Sequence, residues 1–297
     1  MKKYLFTFII VFFIVNSILF PSIALNATKN GLSIWFTQIL PSLLPFSILS
    51  TILLNSKWIS SLTTRGNIIS ISITMICGII FGFPIGAKLS SDFYKQNLLS
   101  QKQAQILCVC MNNFSPMYIM GYVFPLLFGT TSSNCFFLFL LYGIPVLTAC
   151  TLLFIRKEKE NVQKKSASRF QLDMQIIDAG IISGFETLIK ICGYIVLFSL
   201  ITAYISIFVT KLELPQLFIL GNLEITNGIH LLSENISQPF IKTVLAIQFL
   251  TFGGLSGLAQ SASFLSSSGL SMVKYTVGKL MLSGSITIIA AVYLLIF

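Results

Sequence analysis

Gly82-Phe83-Pro84-Ile85-Gly86-Ala87-Lys88 closes an apolar run that begins at Ile68, and Asn112-Asn113-Phe114-Ser115-Pro116 interrupts a second apolar run from Ile106 to about Phe128. Pro84 and Pro116 have no amide hydrogen to donate, and Gly82 and Gly86 loosen the backbone, so a helix cannot pass smoothly through either stretch. Broken backbone inside a bilayer is tolerated only where protein buries it or where it lines a cavity. The layout returns in the second half. Gly221-Asn222-Leu223-Glu224-Ile225-Thr226-Asn227-Gly228 interrupts one apolar run, and Phe252-Gly253-Gly254-Leu255-Ser256-Gly257 interrupts another. Matched interruptions in two halves of a hydrophobic chain point to the binding site of a transporter.

The rest of the chain is composed for lipid. Of 297 residues, 55% are hydrophobic and only 9% charged, which excludes an ordinary soluble domain. Nineteen Lys and Arg against nine Asp and Glu give a net charge of +10, but the basic residues are scattered along short connections. No dense basic stripe with interleaved aromatics exists, so nucleic acid is not an expected partner. The six cysteines lie within apolar runs and read as free thiols. With His230 as the single histidine, neither a zinc site nor a Ser/His/Asp triad has its ligands. No phosphate loop is present. Neither enzyme activity nor a cofactor is expected, and coupling to H+ or Na+ stays open.

Basic residues instead set topology, because Lys and Arg accumulate on the cytoplasmic side. Lys2 and Lys3 precede an apolar run from Tyr4 to about Leu25, too long for a cleavable signal, so a retained first helix with a cytoplasmic N-terminus is expected. Leu32 to about Asn55 then crosses inward to Lys57 and Arg65. If 68–83 crossed fully, Lys88, Lys95 and Lys102 would lie outside; a re-entrant hairpin turning at Gly82–Gly86 removes that conflict and makes Lys95 cytoplasmic. After the interrupted span at 106–128, Cys135–Ile155 returns to the most charged stretch, Arg156 through Lys164, Lys165 and Arg169. The second half repeats the plan from the opposite face: a span from Phe185, a hairpin broken at Glu224, an interrupted span broken at Gly253, and a last span from Tyr275. The expected fold is an all-α polytopic membrane protein of inverted repeats, with re-entrant hairpins and interrupted transmembrane helices. Its expected parts are an N-terminal transmembrane helix (1–31), a first repeat (32–155), a cytoplasmic basic linker (156–176) and a second, inverted repeat (177–297).

If the interrupted elements face one another, their half-helix N-termini and unwound carbonyls form a polar pocket. The candidate substrate-binding residues are Gly82, Pro84, Gly86 and Lys88; Asn112, Asn113, Ser115 and Pro116; Gly221, Asn222, Glu224, Thr226 and Asn227; and Gly253, Gly254 and Ser256. Close helix packing would explain the glycines alone, but not the Asn, Thr and Glu residues that coincide with the breaks. A carboxylate at membrane depth, as at Glu224, must be paired, protonated or solvated by a cavity. Lys88 either meets an anionic solute or extends to the headgroups.

Three motifs in order carry a resemblance: Leu40-Pro41-Ser42-Leu43-Leu44-Pro45-Phe46; Gly82 through Lys88 with Asp92, Tyr94, Ser100 and Ala104; and Asn112-Asn113 with Ser115-Pro116. Together they resemble the sporulation integral membrane proteins of the nucleoside-recognition (Gate) superfamily, which is similar to the concentrative nucleoside transporters. The resemblance implies hairpin tips and unwound helices that bind solute, and a branch that moves dipicolinate from the mother cell across the outer forespore membrane. It therefore implies a carrier for a small organic anion in a bacterial cell membrane or the outer forespore membrane. Its partners would be that anion, the bilayer and, as an open alternative, further copies of the chain. A nucleoside-like solute and a non-transporting membrane assembly protein remain the competing expectations.

Overall fold

The computed structural model describes residues 2–55, 67–129, 135–155, 173–207 and 213–296. The topology markers Lys57 and Arg65 and the charged stretch from Arg156 to Arg169 lie outside the described residues. Among the described residues, six helices are long and apolar enough to cross a membrane: Pro21–Ile52, Gln101–Phe128, Cys135–Ile155, Met174–Ile207, Pro239–Ser268 and Met272–Ile296. The described residues contain no strand. The chain is an all-α polytopic membrane protein.

In order, α1 is Lys2–Leu19 and α2 covers 21–55, its parts Pro21–Ile34 and Leu40–Asn55 joined by a π turn at Trp35–Ile39. α3 (Asn67–Phe81) and α4 (Ile85–Lys95) form a first helical hairpin. α5 (Gln101–Met111) and α6 (116–128) are halves of an interrupted helix, and α7 is Cys135–Ile155. The series is then repeated: a long helix α8 (Met174–Ile207), a hairpin α9 (Leu214–Leu223) and α10 (Ile225–Asn235), an interrupted helix α11 (Pro239–Phe252) and α12 (Gly254–Ser268), and a final helix α13 (Met272–Ile296).

Local chemistry accounts for the boundaries. The first helix ends at Leu19, short of Leu25: Phe20 leaves helical geometry and Pro21 opens α2, where its missing amide costs nothing. Residue 31 therefore lies within a continuous helix and does not mark its end. At the other end of the first half, α8 begins at Met174, inside the stretch expected as linker, because the carbonyl of Asp173 accepts the amides of Ile176 and Ile177. Ser100 and Gln103 form a reciprocal capping box that starts α5. Three π turns, at Trp35–Ile39, Ile119–Val123 and Phe139–Gly143, each precede a proline, respectively Pro41, Pro125 and Pro145. A wider turn relieves the clash of a proline ring with the preceding turn's carbonyl.

α2 and α8 pack antiparallel. Gly31 sits against Ser199 and Val196, whereas Gly184 meets Ile48 and Gly180 meets Ile52, small residues that let the two backbones approach. Each hairpin packs on the first half of its own interrupted helix and on the second half of the other's: α4 against α5 and α12, α10 against α11 and α6. Large apolar residues such as Phe8, Phe154, Ile182, Met281 and Leu295 cover the outside. A surface so apolar is suited to lipid.

Candidate functional site

Each of the four breaks starts a helix. Pro84 precedes α4, Ser115 caps α6, Glu224 caps α10 and Gly253 precedes α12. Phe83, Ser115, Glu224 and Gly253 all line one cavity of about 30 Å3. Phe114, Tyr118, Thr226, Ser256, Gly257 and Gln260 complete its polar and aromatic side, and Ile39, Leu43, Ile191 and Ile195 from α2 and α8 close the apolar one. A space of this size holds about two water molecules. A ring-sized solute needs the walls to part.

The first hairpin is held against the first break by contact with bare backbone. A Cβ on Gly86 would strike the carbonyl oxygen of Met111, and one on Gly82 would strike the amide nitrogen of Ser115; Gly82 also has φ +71. Only glycine fits both demands at Gly82. At the second hairpin, Gly228 lies on the Cα of Gly221, and Gly254 faces the carbonyls of Asn222 and Leu223.

Glu224, 1% exposed, has both carboxyl oxygens hydrogen-bonded locally. Oε1 accepts from the Thr226 amide at 3.1 Å and its hydroxyl at 2.9 Å, and Oε2 accepts from the Asn227 amide at 2.8 Å. These are the free amides of the first turn of α10, so the carboxylate caps a helix whose dipole favours it. The N-terminus of α12 carries no side-chain cap. On the cavity wall, buried Oε1 of Gln260 finds no hydrogen-bond partner among the described residues, and the buried hydroxyl of Tyr118 stands beside Thr226 without a hydrogen bond of good geometry.

Behind this wall lies a second network. Nδ2 of Asn112 donates to Ser261 Oγ at 3.0 Å and to Tyr275 OH at 2.8 Å, while Oδ1 accepts from the Ala87 amide at 3.3 Å. Lys279, 2% exposed, donates to the Asn112 carbonyl at 2.7 Å and to Asn113 Oδ1 at 2.9 Å, and reaches the Thr251 carbonyl at 3.5 Å. Tyr142 donates to the Phe114 carbonyl at 2.8 Å. The carbonyls freed by the first break thus receive donors from α7 and α13.

Of the candidate residues, the structure brings Ser115, Glu224, Thr226, Gly253 and Ser256 to the cavity wall. Gly82, Gly86, Gly221 and Gly254 permit close packing, and Pro84 and Pro116 sit at helix starts. Asn112 and Asn113 join the second network; Asn222 exchanges hydrogen bonds with Gln248, and Asn227 donates to Ser199 at 2.8 Å. Lys88 is displaced from the cavity: α4 turns it toward α8, where Nζ lies 3.5 Å from Ser183 Oγ and near Asp92, Glu186 and Lys190. Sequence reading passed over Tyr118, Gln260, Ser261, Tyr275 and Lys279. Lys279 carried a usable signal, since an ionisable residue within a span is a functional candidate by default.

With that geometry in place, comparison with known proteins gives one match. The chain is similar to a sporulation membrane protein. It is 25% identical over 313 aligned residues to the sporulation integral membrane protein YlbJ of Bacillus subtilis (strain 168), covering 88% of this chain and 75% of that protein. No family model matches the chain. No solved structure matches it either.

Proposed function

We propose that the chain is a secondary carrier or facilitator for a small organic anion of the dipicolinate type, acting in a membrane of the sporulating cell. The observation that carries this is the meeting of four half-helix starts at one cavity. Amides at helix N-termini are ready-made anion sites, and the α12 terminus and the Tyr118 hydroxyl have donors to spare. Both carboxyl oxygens of Glu224 are engaged by donors of its own helix, α10, which leaves the other donors of the wall to the solute. Similarity to a sporulation membrane protein supports the setting. No catalytic residue or cofactor enters the scheme.

In the same proposal, residues 32–155 and 177–297 are two inverted repeats of the nucleoside-recognition type, and both hairpins are re-entrant. The recurring order of long helix, hairpin, interrupted helix and helix supports this, as does the antiparallel pairing of α2 with α8. Solute entry parts the hairpin tips from α2 and α8, and alternating access follows from motion of one repeat against the other. The N-terminus and Lys95 are then cytoplasmic.

Tyr118→Phe tests the binding wall. Removing a buried hydroxyl that lacks a hydrogen bond of good geometry should leave thermal stability unchanged or slightly raised. Dipicolinate binding by the purified protein should weaken about tenfold or more, the loss of one hydrogen bond to a charged group. Equal affinity for wild type and variant would remove Tyr118, and with it this face of the cavity, from the site.

A further inference from the structure

The ammonium of Lys279 stands where two interrupted helices end. Asn112 is the residue that terminates α5, and Thr251 lies in the last turn of α11; the carbonyls of both point at Nζ, with Asn113 Oδ1 as the third oxygen. Carbonyls in the last turn of a helix have no partner within the helix and form the negative end of its dipole. Two such ends and a side-chain amide oxygen, brought together inside a membrane protein, make an oxygen cage of the sort that binds a monovalent cation.

Here the cation is covalently attached. Nζ has three acceptors at 2.7, 2.9 and 3.5 Å, and an ammonium has three hydrogens, whereas a neutral amine would turn a lone pair toward one of the oxygens. No carboxylate comes within ion-pair distance of Lys279 among the described residues, so oxygen dipoles alone balance its charge. Its position is set by close packing: a Cβ on the adjacent Gly278 would lie 2.8 Å from Val109 Cγ2, which lets α13 close against α5 and deliver the lysine to both breaks.

We infer that Lys279 is a tethered cation, occupying the place a monovalent metal ion would take at the crossing of the two interrupted helices, so that the protein holds this crossing together without a bound metal ion. This goes beyond the carrier proposal and does not rest on which solute is moved. A coupling ion, if the protein has one, binds elsewhere.

The test reads thermal unfolding of the purified full chain, with no solute present, in N-methyl-D-glucamine, sodium, potassium, ammonium and methylammonium chlorides. The wild type in each salt is the reference for the variant in that salt. Lys279→Ala should melt at least about 5 °C lower in N-methyl-D-glucamine chloride and regain half or more of that loss in at least one of the small-cation salts. A Lys279→Ala protein that matches the wild type, or whose loss relative to the wild type no small cation restores, would overturn the inference. If Lys279→Ala does not accumulate, Lys279→Arg and Lys279→Met decide. The two replacements are of comparable reach and differ in charge, so Lys279→Arg should accumulate and Lys279→Met should not; equal levels, high or absent, would overturn it. None of these readouts depends on transport.

Discussion

Replacing Glu224 by glutamine should lower solute flux at least about tenfold while the protein still accumulates in the membrane. The carboxylate accepts three hydrogen bonds from the first turn of α10 and is a wall of the cavity. Glutamine keeps one acceptor oxygen but turns an NH2 toward the Asn227 amide, setting donor against donor. Losing a charge-assisted hydrogen bond costs about 1.5–3 kcal/mol locally, and a weakened helix cap costs about 1 kcal/mol in folding. The first figure corresponds to roughly a tenfold to hundredfold change in an equilibrium that depends on the tip geometry. The second is too small to remove the protein. Flux equal to the wild type at equal abundance would show that the tip of the second hairpin takes no part in transport.

Gly86→Val should act on the fold itself and leave little correctly assembled protein. A Cβ at this position meets the carbonyl oxygen of Met111 and lies 2.7 Å from its carbonyl carbon, and both atoms are backbone at the end of α5. Nothing flexible can yield, so the hairpin must lift off the first break. Overpacking of this kind costs about 1–3 kcal/mol where side chains can adjust, and more is expected against rigid backbone. Gly121→Ala, with no atom within 4 Å of the added Cβ, is the matched control. The comparison is read as membrane abundance and monodispersity after extraction. Equal behaviour of the two variants would mean that the hairpin does not pack on Met111.

Much of the architecture was legible because its punctuation is chemical. Proline and glycine at 82–86, asparagine and proline at 112–116, and paired glycines at 253–254 interrupt apolar runs in ways no continuous helix accepts, and the structure breaks at each of them. Glu224 was legible as a residue that needed satisfaction, but not as the cap of its own helix, since Asp, Asn, Ser and Thr are the usual capping residues. The end of α1 was misjudged because apolar composition continues unchanged through Phe20, and only the geometry at Pro21 reveals the break.

The second network was not legible for a different reason. Lys279 and Asn112 lie far apart in the chain, and nothing in either neighbourhood names the other. Lys279 resembled one more basic residue of a topology signal, and Tyr118 and Gln260 resembled ordinary helix positions. Lys88 misled in the opposite sense: it adjoins the first break in sequence, but one turn of α4 carries it to the side facing α8. Proximity to a break along the chain does not fix which face of the following helix a side chain occupies.

The most direct measurement is flux of labelled dipicolinate into proteoliposomes that contain the purified chain, with uridine as the companion solute. The carrier proposal predicts saturable dipicolinate uptake, no comparable uptake of uridine, and loss of the dipicolinate signal in the Glu224→Gln protein. Saturable uridine uptake without dipicolinate uptake, or movement of neither solute by folded and correctly inserted protein, would contradict it.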